Sequence, residues 1–485
     1  MHMTRHRSRG MAALPAFVIA LIIAAPAHAQ QGAVFEQLLD KLKEKGVLSQ
    51  EEYDALKAAR EEERTELRAE RRRQALKEAQ LAEKEEKAKE AAESSTKFTS
   101  SPSIRSAQLY GDVRVRYESR VGEGRNGSGT AAEQSRERER YAARIGLRGD
   151  LTDQWYYGLR LETSTNPRST WVTFGDDTTA SPGAKDNDRL AIGQAYLGWN
   201  ATKWLALEAG RMPNPFYNAS VMVWDPDITT EGLAEKIRFS PNDRLTLFGN
   251  FAQLVYQDNP TDSTKSVDIG FHSNDIYILG WQGGVAYKFT SDVSARAGVA
   301  YYNYNGRPDP TKDLGKPFSG QPGGNQVGIN NLAILDLPAE LNFPVLGRNM
   351  KLYADFAMNF DADERARRAG FPSFGGEDKA YQVGLSLGDL KKKNDWQVLA
   401  YWQHVEQYAI DPNLTDSDWF DGRTNTQGWV AGAGYAFTDA ILGTLRYGQA
   451  KRANKSLGTG GSSDLAGIAR LDDYKLLQLD LVWRF

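Results

Sequence analysis

The sequence predicts an all-β fold, a transmembrane antiparallel β-barrel of about sixteen strands preceded by an N-terminal α-helical segment. Three observations predict it. From Ala107 onward, apolar and polar side chains alternate with period two in about sixteen segments of about ten residues each. The connectors between these segments alternate between short turns and long loops rich in Gly, Asn and Asp. The last strand, LQLDLVWRF, sets Leu477, Leu479, Leu481, Trp483 and Phe485 on one parity against Gln478, Asp480 and Arg484 on the other, and ends on an aromatic.

The chain begins with Arg5, Arg7 and Arg9, then the apolar stretch MAALPAFVIALIIAAPAHA, ending in Ala27-His28-Ala29. A basic region, an apolar region and a small-x-small site together read as a signal peptide over 1–29, with an uncleaved anchor as the alternative. The expected location is therefore the bacterial outer membrane, with the segment that follows in the periplasm. The 485 residues include no cysteine, so an exported fold must be stable without disulfides. After the leader no run approaches the ~20 apolar residues of a spanning helix. The formal net charge of −3 gives no reason to expect nucleic acid.

Residues 30–96 are rich in Ala, Glu, Lys and Arg. Val34, Leu38, Leu39 and Leu42 recur at helical spacing, and Gly46 is placed to end a first helix. Ser49 and Glu52 then form a capping-box pattern that opens a second. Its later leucines, Leu56, Leu67, Leu76 and Leu81, fall at irregular intervals, so a single exposed helix and a coiled coil both stay open. Residues 97–106 read as a linker, and 107–485 as the barrel.

In the barrel, AQLYGDVRVRYE and RYAARIGLRGDL open the alternating series and ILGTLRYGQA leads into the terminal strand. Short turns at DLTDQ, ATK, SPND, TSD, PVLGRN, DLKKKND and TDA separate loops such as 164–187, 211–232, 306–330 and 409–426. That rhythm is expected of outer-membrane barrels, with an even strand count bringing both ends to one side. Lipid leaves no water for unpaired backbone groups, so the last strand must pair with the first. Trp155, Trp199, Trp204, Phe239, Phe289, Trp396 and Phe437 lie beside the short turns, where an aromatic girdle is expected.

The leader, the segment LLDKLKEKGVLSQEEYDAL, the strands and the C-terminal Phe resemble the putative porins and phosphate-selective-type porins of Gram-negative bacteria. The resemblance implies a passive diffusion channel for small hydrophilic or ionic solutes, in contact with membrane lipids and lipopolysaccharide, assembled as a homotrimer. It also implies that Trp483 and Phe485 serve as a membrane-assembly signal. Two other readings stay open: a substrate-selective channel for anions such as phosphate, and an envelope tether whose helical arm binds a periplasmic partner or peptidoglycan.

No enzyme is expected, and no cofactor or metal. Once the leader is removed only His272 and His404 remain, which is too few for a His/Cys metal cluster and leaves little for a catalytic triad. His272 reads as a loop residue and His404 as a wall residue. On the first three strands Arg114, Arg116, Arg140, Arg144, Arg148 and Arg160 share the polar parity, a basic ladder of the kind that selects anions. The alternative is a structural network paired with Asp112, Glu118 and Glu162. The resemblance implies that the third long connection, GRMPNPFYNASVMVWDPDITTEG, folds inward, placing Asp225, Asp227 and Glu231 at a constriction. Tyr217 and Trp224 are its candidate anchors to the wall.

Overall fold

A strand whose two faces meet different solvents keeps its alternation only if every neighbour keeps the same inside and outside. The computed structural model describes residues 40–47, 49–59, 61, 65, 101–164, 169–175, 188–258, 275–305, 332–459 and 464–485. The chain divides into two units, Met1–Thr99 and Ser100–Phe485. The leader, most of the later helical stretch and His272 lie outside the described residues.

In the first unit, helical residues 40–44 end at Gly46 (φ +68°), a conformation that a Cβ would penalise. The Val47 N–H donates to the Leu42 carbonyl and the Gly46 N–H to that of Lys43, the paired closure of a Schellman cap. The next helix covers 50–59. Its capping box is reciprocal: the Ser49 N–H donates to Glu52 at 2.9 Å, and the Glu52 N–H to Ser49 Oγ at 3.2 Å.

The second unit is a closed antiparallel barrel of sixteen staves. The first five are β1 (Gln108–Arg125), β2 (Ala131–Asp150), β3 (Trp155–Thr163), β4 (Leu190–Trp199) and β5 (Leu205–Pro213). Then come β6 (Thr229–Phe239), β7 (Leu245–Gln257), β8 (Ile276–Lys288) and β9 (Ser294–Asn305). Stave β10 is interrupted: Ala333–Asp336 and Ala339–Val345 flank Leu337-Pro338, because proline has no N–H for the ladder. The rest are β11 (Arg348–Asn359), β12 (Lys379–Gly388), β13 (Trp396–Val405), β14 (Thr426–Ala436), β15 (Ile441–Arg452) and β16 (Arg470–Arg484). A two-residue piece, Val172–Thr173, pairs with β2 beyond the end of β3.

β16 closes the barrel on β1, with Asp480 opposite Arg116 and Trp483 opposite Val113. Phe485 exchanges two backbone hydrogen bonds with Gly111, at 3.0 and 3.1 Å. Its ring lies where a Cβ on residue 111 would stand, 2.7 Å from Cζ, so that position takes glycine. Leu479, Leu481, Trp483 and Phe485 face outward while Gln478 and Asp480 are buried, as the parity predicts. The seven aromatics beside the short turns are all exposed.

The sequence stops the first strand near Glu118, but β1 and β2 pair as far as Arg125 and Ala131. Their upper halves, Ser119–Arg125 and Ala131–Glu139, are polar on both parities. Where one side of a hairpin meets water and the other meets the charged loops that Asp421 and Asp464 belong to, backbone pairing continues and the apolar alternation loses its cause.

Candidate functional site

The lumen wall of β1–β3 follows from parity. Val113 and Val115 face outward, so Asp112, Arg114, Arg116, Glu118 and Arg120 face inward. The register sets Arg144 opposite Asp112, Arg140 opposite Arg116, and Arg138 opposite Glu118. Like charges facing each other across a ladder are destabilising unless acids intervene. Here they do. Arg116 makes a two-pronged contact with Asp480, Nε and Nη2 donating at 2.6 and 2.9 Å. Glu118 is fully buried, with four guanidiniums around it: Arg138 at 2.6 Å, Arg120 at 3.0 Å, and Arg116 and Arg140 at 3.7 Å. Arg116 and Arg140 also lie over the Trp171 ring, at 4.2 and 5.7 Å.

Two long loops bring the remaining counter-charges. From the seventh loop (406–425), Asp418 accepts from Arg116 at 2.8 Å and Asp421 from Arg120 at 2.6 Å. From the eighth (453–469), Asp464 accepts from Arg136 at 2.7 Å and Arg138 at 2.8 Å. Burial works against the charge of Asp418, yet Arg116 and Arg120 hold it below the ordinary carboxylate range. Asp464 is likewise held low by Arg120 and Arg138 against the effect of burial.

The third long connection, residues 214–228, lies against the opposite wall. Phe216, Met222, Val223 and Trp224 pack with Ala252, Leu254, Ile278, Ala300, Tyr302 and Ile334, the inward residues of β7–β10. The Phe216 ring is 4.9 Å from Tyr302, and Trp224 is 5.5 Å from it. Phe216 covers Gly280, where a Cβ would stand 2.2 Å from its Cζ. Buried Gln282 clamps Tyr217 through its backbone at 2.7 and 2.8 Å, and Ser220 donates to Asp355 at 2.6 Å. The tip of this loop meets the seventh: the Asp225 N–H donates to the Leu414 carbonyl at 2.6 Å, and the Asp416 N–H to that of Val221 at 3.2 Å.

The sequence-derived residues thus fall into several settings. Arg114 and Arg144 converge on Asp112 and Asp227; the Arg144–Asp227 contact is 3.1 Å and the Arg114–Asp227 contact 3.9 Å. Arg116 and Arg140 meet through Glu118. Arg148 stands apart, bonded to Gln108 and stacked over Tyr110, and Arg160 pairs with Glu162 at 2.7 Å. Asp225 does not face the arginines. It is buried beside Asp416, and its carboxyl is pushed up to about 9 by burial and by its neighbours Asp416 and Asp227. Burial and Asp418 push Asp416 up to about 7.

Glu231 requires a correction. It is part of β6, opposite Arg211 on the outward parity, and it pairs with that arginine away from the lumen. The reason is register: Thr230 and Ala234 are buried inward, so residue 231 must point out. His404 is a wall residue on β13, stacked on Tyr381 at 4.9 Å. Among the described residues no group of His, Asp and Glu is arranged to hold a metal ion.

Between the inward loop and the short-turn end of the barrel lies a cavity of about 910 Å³. Its lining includes Lys203, Lys236, Arg238, Arg296, Lys351 and Arg446, with Asp225 and Asp416 as the acids. The sequence reading missed these cations because each strand contributes only one or two. Parity held the signal, since residues 236, 238, 296, 351 and 446 all fall on the inward register of their strands.

The family model described as putative porin matches residues 101–314 and 326–466. A comparison with curated proteins finds no match. Among solved structures, Pseudomonas putida OprB is similar at 12% identity, covering 78% of this chain and 94% of that one, with a TM-score of 0.46. Salmonella typhi OmpF in complex with daunomycin is similar at 11% identity, covering 78% and 97%, with a TM-score of 0.44. For Pseudomonas aeruginosa OpdQ the identity is 14%, the coverage 79% and 99%, and the TM-score 0.38.

Proposed function

The chain belongs to the putative porin family, and from that premise we propose a passive diffusion channel for small hydrophilic or ionic solutes, narrowest where the inward loop meets the arginine wall. Membership makes it a non-enzymatic channel protein of the outer membrane. One observation carries the finer reading: Asp227, on a loop anchored to the far wall by Phe216 and Trp224, reaches Arg144 at 3.1 Å. On the wall of Arg114, Arg116, Arg140, Arg144, Arg148 and Arg160, it is Arg114 and Arg144 that face this loop acid, and their pairing across the lumen sets a local transverse field there. Asp225 serves that constriction indirectly, by holding the loop to its neighbour.

In this reading residues 1–29 are the exported leader, 30–96 stand in the periplasm, and Trp483 and Phe485 mark the last strand for assembly. The outer face meets lipids and lipopolysaccharide, and three copies associate. Purified protein in a planar bilayer should give stable conductance steps without an energy source. A barrel that neither conducts nor lets solutes swell liposomes would sink the channel reading. Deleting residues 31–96 should leave conductance intact; loss of envelope attachment together with an unconducting barrel would favour a tether instead.

A further inference from the structure

Unlike the arginine wall, the cavity beneath the inward loop holds more cations than it has carboxylates paired with them. Lys236 has Glu208 at 2.6 Å and Lys351 has Glu340 at 2.8 Å. Arg238, Arg296 and Arg446 have no carboxylate within ion-pair range among the described residues. Glu340 stands opposite Arg296 on the next strand but is in an ion pair with Lys351, and the acids in the lining do not close the gap: Asp225 is largely neutral at pH 7, and Asp416 titrates near it.

Arg296 is held in an unusual way for a lumen arginine. Its guanidinium carbon lies 3.7 Å from the Tyr217 ring centroid and 4.5 Å from that of Phe248. A cation–π contact with a ring uses up none of the five N–H donors as a conventional hydrogen bond, so the fork is left to bind an acceptor. Tyr217 is itself fixed by the Gln282 clamp, and Phe248 is buried on β7. The fork is therefore preorganised, and such a fork matches the two oxygens of a carboxylate or phosphate.

We propose that this cavity is an oxyanion-binding vestibule for small organic carboxylates or phosphates. Arg296 holds the anion, while Arg446 and Arg238 supply the surrounding positive field. The inference deepens the channel reading by naming the solute class, but its test does not depend on conduction. Neighbouring Leu399, Tyr353 and Tyr401 give the cavity apolar wall area, which accommodates the carbon part of an organic anion.

The test is calorimetric titration of the full chain in detergent with succinate and, separately, inorganic phosphate, at low and high salt. Saturable binding of at least one anion at millimolar concentration is expected, weakening as salt rises. Arg296→Gln should reduce it about tenfold or more, the loss expected when a charged hydrogen-bonding group is removed, and Arg446→Gln should reduce it less. The succinate and phosphate arms tell an organic-acid site from a phosphate site. Should Arg296→Gln fail to fold, as judged by heat-dependent gel mobility, Glu340→Gln takes its place: it frees Lys351 and should tighten binding. No saturable binding of either anion, or affinities unchanged in Arg296→Gln, would overturn the proposal. If the protein conducts in bilayers yet binds neither anion, the channel reading survives and the vestibule does not.

Discussion

The arginine wall of β1–β3 and the cavity under the inward loop are both rich in cations, but they differ in what surrounds those cations. On the wall, Arg116, Arg120 and Arg138 are buried, and each has carboxylates within 4 Å drawn from the strands and from the seventh or eighth loop. In the cavity, Arg296 rests on aromatic rings, and Arg446 has Asp416 for an acidic neighbour without an ion pair among the described residues. A buried pair with its acids in place is electrically quiet and structurally committed, whereas an unpaired cation beside water still projects a field. A count of arginines therefore does not identify the surface a passing ion senses. What matters is which of them lack partners.

The largest effect should come from breaking the wall at its centre. Glu118→Gln strips the shared acid from four guanidiniums, and unpaired buried charge of this kind costs about 3–5 kcal/mol. The temperature at which the barrel unfolds, read from heat-dependent gel mobility, should fall clearly. An unchanged temperature would mean that Asp418, Asp421 and Asp464 suffice by themselves.

Next in size is the anchor of the inward loop. Gly280→Ala places a methyl 2.2 Å from Phe216 Cζ, where there is no room for it. Overpacking costs about 1–3 kcal/mol, and the loop has a way to yield, by lifting from β8. Single-channel conductance should rise and become noisier, while a record indistinguishable from wild type would detach the loop from the conducting path.

A smaller, pH-dependent effect should arise at the junction of the third and seventh loops. Asp225 and Asp416 titrate above the ordinary carboxylate value, so the docked state holds protons more readily than the separated one. Docking is then fully favoured below about pH 4 and loses that contribution as pH rises toward 7 for Asp416 and 9 for Asp225. Conductance measured from pH 5 to 9 should increase with pH, and Asp225→Asn should flatten the rise. A profile unaffected by that substitution would place the titrating group elsewhere.

The smallest effect, and the one that sharpens the comparison most, is on ion preference. Arg144→Gln leaves Asp112 and Asp227 with Arg114 and should move the reversal potential slightly toward cations at low salt, while Asp227→Asn should move it slightly the other way. Arg446→Gln, an unpaired cation, should move it further than Arg144→Gln. The opposite order would mean that the wall, and not the cavity, sets selectivity. All three shifts should shrink as the Debye length falls from ~10 Å at 0.1 M to ~3 Å at 1 M.

Much of the barrel was legible because its cause is local. Each inward or outward assignment on β1, β2, β3 and β16 depends on one strand and the two media beside it, so the parity of Arg114 or Leu479 can be read from its neighbours. The same logic stopped the first strand too early, since beyond the lipid the outer face of Ser119–Arg125 meets water and its inner face meets charged loop residues such as Asp421. It also left Glu231 in a loop, because the turn from 213 to 229 carries no alternation that would reveal where β6 begins.

The sequence by itself determined the closed barrel, the girdle of aromatics, the capped helices near the N-terminus and the inward arginines, since each depends on contacts within a few residues or on the medium touching a face. Only the tertiary structure decided which of those arginines are neutralised and where uncompensated charge remains. Arg116 finds Asp418 from 302 residues away and Arg120 finds Asp421 from 301, through loops whose course is set by buried aromatics such as Phe216, Trp419 and Phe420. Such pairings depend on how the whole barrel closes over its own loops, and no periodicity along a strand records them.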